Sequence, residues 1–465
     1  MADQFDLVVL GSGPGGYVAA IRAAQWGLRA AVVEKDDRVG GTCLNVGCIP
    51  TKALLHSAEV HDTVRRAKDF GIECGEPKVN FEAVRTRQRQ VVLKHVKGVE
   101  FLLRKHKIET IRGWGKLQGQ GRVSVEAESG ARQISAKNII LATGSEARML
   151  PGLVPDPERI LTNREILETK TVPASLLIIG GGAVGVEFAS IYRRFGSEVT
   201  VLEMLPRILP IEDEEISQEL EKAFKKQGIK ILTGARVDKV DKKSAGVEVT
   251  VVQGTSSQTL PAEQVLVAVG RRPNTEKIGL ENTRVEVERG FIKTDEFMRT
   301  AEPGVYAIGD IVAGAPQLAH AASMEGIVAA GAICGKETPP MRFDRVPSCI
   351  YCEPQVSSVG LSEAEARKRG YAVRTGKFPF AANAKASIVG AREGFVKLVC
   401  EEKYGEVLGA HMIGPAVTEL IGEVVAAMRL EARAEDLMYT IHAHPTLSEG
   451  VWDAANSVSS LTING

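Results

Sequence analysis

At 465 residues the chain is too long for one hydrophobic core, and domains of roughly 100–200 residues predict about three or four units. Its composition, 44% hydrophobic and 25% charged, is that of a globular protein, and 58 basic against 58 acidic residues leave no net field to gather nucleic acid or an anionic membrane. Seven cysteines are too few for a disulfide scaffold, so in a reducing compartment a close pair points to catalysis rather than to stapling. No run is long and apolar enough to span a bilayer, and the N-terminus shows neither a basic region nor a small-residue cleavage site. The expectation is a cytoplasmic protein with no membrane partner.

In chain order, residues 5–10 form an apolar run that predicts a strand. They lead into Gly-Ser-Gly-Pro-Gly-Gly at 11–16, a helical stretch, and a second apolar run ending in Glu34. The pattern returns when Leu176 to Ile179 lead into Gly-Gly-Gly-Ala-Val-Gly at 180–185, a helix, and a run ending in Glu203. In each copy the acid stands 23 residues after the first glycine. A lone G-x-G-x-x-G is a weak signal, and each copy read alone could be a glycine-rich turn. Strand, glycines, helix and acid together predict a Rossmann unit twice over. Gly11 and Gly180 would allow the tight turn, Gly13 and Gly182 the approach of a pyrophosphate, and Gly16 and Gly185 close packing of helix on strand. Short strands are expected over 121–143 and 227–270, and a buried strand should deliver Asp310 to a loop. From about 346 the runs Gly394–Cys400 and Val407–Ile413 predict an antiparallel sheet, and Val417–Leu430 has helical spacing.

The expected fold class is α/β, with two Rossmann-like dinucleotide-binding domains and a C-terminal α+β domain. The boundaries are 1–148 for the first part of one nucleotide-binding domain, 149–272 for the second domain, 273–345 for the rest of the first, and 346–465 for the C-terminal domain.

Residues 40–52 read Gly-Gly-Thr-Cys-Leu-Asn-Val-Gly-Cys-Ile-Pro-Thr-Lys. Cys43 and Cys48 sit at an expected helix start, where a disulfide closes only if the backbone is irregular; Gly47 would make that distortion cheap. A helix N-terminus also favours a thiolate. Because Cys43 follows Glu34 by nine residues, a nucleotide held by the first fingerprint would bring its reactive ring near the pair. A dithiol moves electrons in pairs, which a flavin can accept and pass on as hydride, so the first fingerprint is assigned FAD and the second a nicotinamide. Glu203 favours NAD over NADP, since a carboxylate there binds a ribose hydroxyl and repels a 2′-phosphate; the nearby Arg207 weighs slightly the other way. Near the C-terminus, His444 and Glu449 lie five residues apart. Such a pair is more often a structural hydrogen bond than a catalytic dyad, but it can also serve a thiol as a base and its orienting acid.

Over essentially its whole length the chain resembles the dihydrolipoamide dehydrogenase branch of the pyridine nucleotide–disulfide oxidoreductases. The likeness is carried by residues 41–52, Ala-Thr-Gly-Ser at 142–145, Val-Gly-Arg-Arg-Pro-Asn at 269–274, Ile-Gly-Asp at 308–310, Leu-Ala-His at 318–320 and His-Ala-His-Pro-Thr-Leu-Ser-Glu at 442–449. The resemblance implies that Cys43 meets substrate and Cys48 faces the flavin. Lys52 would lie by the isoalloxazine and pair with Glu187. Glu34, Lys35, Gly41, Thr42, Gly115, Thr143, Gly144, Ser145, Asp310 and the stretch Gln317, Leu318, Ala319 and His320 would line the FAD site. Gly180, Gly182, Gly185, Glu187, Glu203, Val237 and Gly270 would line the NAD site. It also implies a homodimer in which His444, with Glu449, reaches the other subunit's site, and lipoyl domains of a 2-oxo acid dehydrogenase complex or glycine cleavage system as partners. No metal is expected. A glutathione or mercuric reductase-like activity is the alternative. Thr51 stands where many relatives have Ser. Cys349 and Cys352 form a CxxC read as ordinary buried cysteines, Cys74, Cys334 and Cys400 have no evident role, and His56, His61, His95 and His106 are expected in solvent.

Overall fold

The apolar runs become strands because their side chains are buried on both sides of parallel sheets. In a computed structural model, which describes residues 3–128 and 130–464, the chain forms two compact units. One comprises Met1–Ala53, Glu82–Arg148 and Gly270–Phe343; the other comprises Leu54–Phe81, Met149–Val269 and Asp344–Gly465.

The first unit is built on a seven-stranded sheet. Asp3–Leu10 lies between Ala30–Glu34 and Gly130–Leu141, parallel to both, and Val305–Ala307 adds a further parallel strand beside Gly130–Leu141. Leu10 is in register with Val33 and Leu141, and Leu141 with Ala307. The turns that follow these strands, at Gly11, Glu34, Ala142–Gly144 and Ile308–Asp310, therefore open at one carboxyl edge, where such sheets bind ligands. On one face the helices Pro14–Gln25 and Ala319–Cys334 cross closely. A Cβ on Gly326 would stand 2.7 Å from the Gly15 carbonyl oxygen. The second helix is apolar nearly all round, as a buried helix must be.

In the second unit Ser175–Ile179 pairs in parallel with Glu198–Leu202 and Gln264–Val267, again with strand ends in register. Residues 235–262 form a three-stranded antiparallel meander. A five-stranded antiparallel sheet runs in the order Ser348–Ile350, Gln355–Gly360, Val407–Gly414, Phe395–Glu401 and Val373–Pro379. On one face Val396, Leu398, Ala410 and Met412 join an apolar core with Val424 and Val451 from the helices Val417–Arg429 and Glu449–Val458. The other face carries Lys397 directly across from His411. Both strands are buried throughout their pairing, so exposure does not alternate along them.

These two units divide the chain differently from the expected limits, and Asp344–Gly465, expected as a domain of its own from 346, falls in the same unit as Met149–Val269. Arg271–Pro273 pairs antiparallel with Ser145–Ala147 and so falls in the first unit rather than with 149–272. Residues 54–81, expected in the first nucleotide-binding segment, belong to the second unit: His61 Nδ1 lies 3.0 Å from the Arg194 carbonyl oxygen, and Phe81 meets Phe195 edge-on. His61 is half-buried for that reason, whereas His56 and His95 are exposed. No helix among the described residues is long and apolar enough to cross a membrane.

Candidate active site

The run Gly41–Lys52 does not form one helix. A short helix Gly41–Val46 ends at Gly47, whose backbone sits at φ −139° and ψ −115°, and a new helix starts at Cys48. The break needs glycine because a Cβ on Gly47 would stand 2.9 Å from the Thr42 carbonyl oxygen and 3.1 Å from Cys43 Cα. It brings the Cys43 and Cys48 side chains into hydrogen-bonding contact. That hydrogen bond raises the Cys43 thiol far above its ordinary range, burial adds to the rise, and the charge of Lys52, one turn into the second helix, opposes it. The Tyr17 hydroxyl, on the helix Pro14–Gln25, is pushed up by burial and by the charge of Cys43.

The two glycine fingerprints have matching geometry. Gly11 and Gly180 have φ of +106° and +113°, and a Cβ on either would stand 2.2 and 2.3 Å from the carbonyl oxygens of Ala142 and Ala268. On Gly16 and Gly185 it would stand 2.0 and 1.9 Å from the carbonyl oxygens of Gly11 and Gly180. The middle glycines are different: a Cβ on Gly13 would meet nothing nearer than 4.0 Å, and on Gly182 nothing within 4 Å. The outer glycines are consumed by folding, while the middle ones leave open space at a helix start, where N–H groups and the helix dipole favour a phosphate. The acids match as well. Glu34 Oε2 accepts from Ser12 N–H at 3.0 Å and Oε1 from Asp36 N–H at 2.9 Å. Glu203 Oε2 accepts from Gly181 N–H and Oε1 from Leu205 N–H, both at 2.8 Å. Both carboxylates are buried and held in place, with acceptor capacity left for ribose hydroxyls. One nitrogen of the Arg207 guanidinium, Nη2, donates to the carbonyls of Pro210 and Glu212, at 3.2 and 3.4 Å.

Around the carboxyl edge of the first sheet, Thr143 Oγ1 donates to the Asn274 carbonyl at 2.6 Å and Asn274 Nδ2 returns to the Thr143 carbonyl at 3.0 Å. The Ser145 hydroxyl donates to Asp310, Arg271 Nε donates to Ser145 Oγ at 2.7 Å, and Gln317 Nε2 donates to the Asp310 carbonyl at 3.2 Å. Thr42 Oγ1 donates to the Ser145 carbonyl at 3.4 Å. Leu318 caps the helix that begins at Ala319 and His320, so the N–H groups there head that helix.

In the C-terminal segment His444 Nδ1 lies 2.9 Å from Glu449 Oε1. A carboxylate accepts, so Nδ1 carries the proton and Nε2 is left as the outward acceptor. Burial raises the Glu449 carboxyl, but the Thr446 N–H and His444 outweigh it and hold the group below its usual range, ionised beside the ring. His444 is 72% exposed. His442, in the same motif, is 6% exposed and occupied at both nitrogens, by the Thr440 carbonyl at 2.9 Å and Glu423 Oε1 at 2.6 Å.

Family profiles match this chain twice. Pyridine nucleotide-disulphide oxidoreductase covers residues 5–326, and the dimerisation domain of the same family covers 346–455. The chain belongs to the pyridine nucleotide-disulphide oxidoreductases. Among its relatives, the dihydrolipoyl dehydrogenase of Bacillus subtilis is 47% identical over 98% of each chain. That of Chlorobaculum tepidum is 48% identical over 98% of this chain and 97% of its own. Of solved structures, LpdA from Mycobacterium tuberculosis aligns with a TM-score of 0.91 at 30% identity, covering 98% of this chain and 99% of its own. The flavoprotein disulfide reductase RclA of Escherichia coli, as its Cu(II) complex, aligns at 0.87 with 27% identity over 99% and 100%.

As a pyridine nucleotide-disulphide oxidoreductase, the chain places its other expected residues as follows. Gly115 packs against Leu10 and Val33, Lys35 pairs with Asp36 at 2.8 Å on the surface, and Gly270 has φ +106° with its carbonyl accepting from Arg148 N–H at 3.0 Å. Val237 lies at an irregularity in the strand Ala235–Lys243. Glu187 is buried on the helix Ala183–Arg194 and accepts from Tyr351 N–H at 3.0 Å. Cys352 is buried, with its thiol raised well above the ordinary range by burial, and Cys349 is half-buried. Sequence reasoning missed Tyr17, Arg271, Asn274 and Glu325. The 269–274 motif contains two of them, but nothing in the spacing says that Arg271 braces a serine 126 residues away.

Proposed function

We infer that the chain is an FAD-dependent dihydrolipoyl dehydrogenase that oxidises protein-bound dihydrolipoamide to lipoamide and reduces NAD⁺ to NADH. The observation that carries the reading is the Cys43–Cys48 contact, made by a helix break on the unit that also carries the first dinucleotide cradle. The residues fit the cofactors, since each fingerprint pairs an open middle glycine with a fixed, buried acid. When bound, FAD takes two electrons from the dithiol and delivers them to NAD⁺.

This chain's residues act on thiols and protons. With Cys43 and Cys48 joined as a disulfide, a substrate thiolate attacks Cys43 Sγ and Cys48 leaves as thiolate. The second substrate thiol then attacks the substrate sulfur bound to Cys43, closes the lipoyl disulfide and releases the Cys43 thiolate. Two electrons pass from substrate to the pair. His444 Nε2, oriented by Glu449, accepts the substrate's thiol protons. Lys52 stabilises thiolate charge at Cys43, and Glu187, Glu203 and Val237 serve the nicotinamide side. The dimerisation-domain match and the exposed Ile441 and Tyr439 next to His442–His444 in the chain support a homodimer in which His444 serves the partner's thiol pair. Lipoyl domains of a 2-oxo acid dehydrogenase or glycine cleavage system present the substrate, in the cytoplasm.

A steady-state comparison of dihydrolipoamide with NAD⁺ against glutathione disulfide with NADPH tests the assignment. Turnover with the first pair and none with the second is expected; the reverse would overturn both the substrate and the reading of Glu203.

A further inference from the structure

Glu325 lies on the helix Ala319–Cys334, is fully buried, and takes no part in the chemistry above. One carboxyl oxygen, Oε2, accepts from the N–H of Gly309, the residue before Asp310. The other, Oε1, is buried with no hydrogen-bond partner among the described residues. The next residue, Gly326, packs on the first turn of the helix Pro14–Gln25, within 2.7 Å of the Gly15 carbonyl oxygen for an added Cβ. Glu325 therefore stands behind two parts of one site: the turn that presents Asp310 and the helix start whose open face at Gly13 suits a pyrophosphate.

Asp310 is the charged group that bears on it from the Gly309–Ile311 turn. The helix Pro14–Gln25 brings Gly15 and Ala19 to this side, while its Arg22 lies over the Trp26 ring at the far end. Burial pushes the Glu325 carboxyl up to about 7, with the Gly309 N–H opposing and Asp310 adding to the rise.

We propose that Glu325 is a positioning residue for the flavin that must be neutral when FAD is bound, so that loading takes up one proton at this carboxyl. The inference rests on the reading that the first fingerprint holds FAD. A pyrophosphate at the helix start by Gly13, together with the Asp310 carboxylate, makes a further buried negative charge at Glu325 unfavourable. The neutral acid keeps Oε2 as acceptor for Gly309 N–H, which holds the turn carrying Asp310, and bears its proton on Oε1.

The test removes FAD from the full-length protein and measures rebinding by flavin fluorescence from about pH 6 to about pH 9, for the wild type and Glu325→Gln. The wild-type Kd should be flat at low pH and rise about tenfold per pH unit above about 7, because the deprotonated acid must first be reprotonated. Glu325→Gln should bind with a flat profile. Titration calorimetry of the wild type in two buffers of different ionisation enthalpy, at about pH 8, should show about one proton taken up per FAD, and needs no variant. FAD binding without proton uptake, or an unchanged slope in Glu325→Gln, overturns the proposal alone. A wild type that binds no FAD at any pH overturns the flavin reading as well.

Discussion

At the scale of single residues, the site works by placing charges against thiols. Cys43 is raised by its hydrogen bond to Cys48 and by burial, and Lys52 is the cation that opposes this. Removing that cation disfavours the thiolate, so the sign is fixed. In the reduced protein, Lys52→Met should shift the pH profile of Cys43 alkylation by iodoacetamide upward and slow the reaction at neutral pH, by about tenfold if the shift is one unit. An unchanged profile would remove Lys52 from the thiol's environment. The two histidines of the 442–449 motif make the complementary point. Both are titratable and both face a carboxylate, yet only His444 keeps a ring nitrogen open to solvent. Their letters and spacing do not distinguish them; their burial does.

At the scale of elements, the strand–glycine–helix–acid units were fully legible, because each is a local structure closed within about thirty residues. The spacing also assigned the glycines distinct tasks, and the geometry separates those tasks experimentally. Gly180→Ala would force a Cβ onto the Ala268 carbonyl at a positive φ and should lower the Tm, by an amount corresponding to about 1–3 kcal/mol or more. Gly182→Ala meets no atom within 4 Å, so the fold should survive. The methyl would occupy the approach to the helix start, and NAD⁺ affinity should fall by about tenfold or more, since tenfold is only about 1.4 kcal/mol. Thermal melts with NAD⁺ titrations check both. Equal loss of Tm in the two variants, or unchanged NAD⁺ binding in Gly182→Ala, would mean that the cradle is misread. Less legible was the break at Gly47. The pair demanded an irregularity, but that a second helix begins at Cys48 itself depends on the packing around Thr42.

At the scale of the whole molecule, a buried cation ties the antiparallel sheet to the start of the helix Glu214–Lys226. Lys397, 4% exposed, lies 3.2 Å from Asp213, 2.7 Å from Glu215 and 3.2 Å from Glu363. Lys397→Met leaves the buried Asp213 without its cation and should destabilise the protein by about 3–5 kcal/mol, read from denaturant midpoints. Adding Asp213→Asn should recover part of the loss, because the two changes share one interaction. Strict additivity would rule out the coupling. Assembly supplies the last prediction. His444→Gln should lower dihydrolipoamide turnover by about a hundredfold or more while sparing NADH oxidation by an artificial acceptor. Mixing inactive His444→Gln chains with inactive Cys43→Ser chains should restore partial activity, since each mixed dimer holds one intact site. No recovery after demonstrated subunit exchange would place His444 outside the partner's site.

By itself the sequence determined the two Rossmann units, the thiol pair, and the α/β class with a C-terminal α+β segment. All are set by spacings within one turn, one helix or one strand–helix unit, where hydrogen bonds join near neighbours. Only the tertiary structure decided that Arg271 and Ser145 brace Asp310, that residues 54–81 fold with the second unit, and that Glu325 is buried behind the turn that carries Asp310. The bracing cluster and the Lys397 anchor join residues more than a hundred positions apart, and burial, which sets the ionisation of Glu325 and the availability of His444, depends on which chain segments cross above a side chain. Neither pairing nor cover is written in the local pattern, because the same residues at the same spacing would be solvated on an open surface.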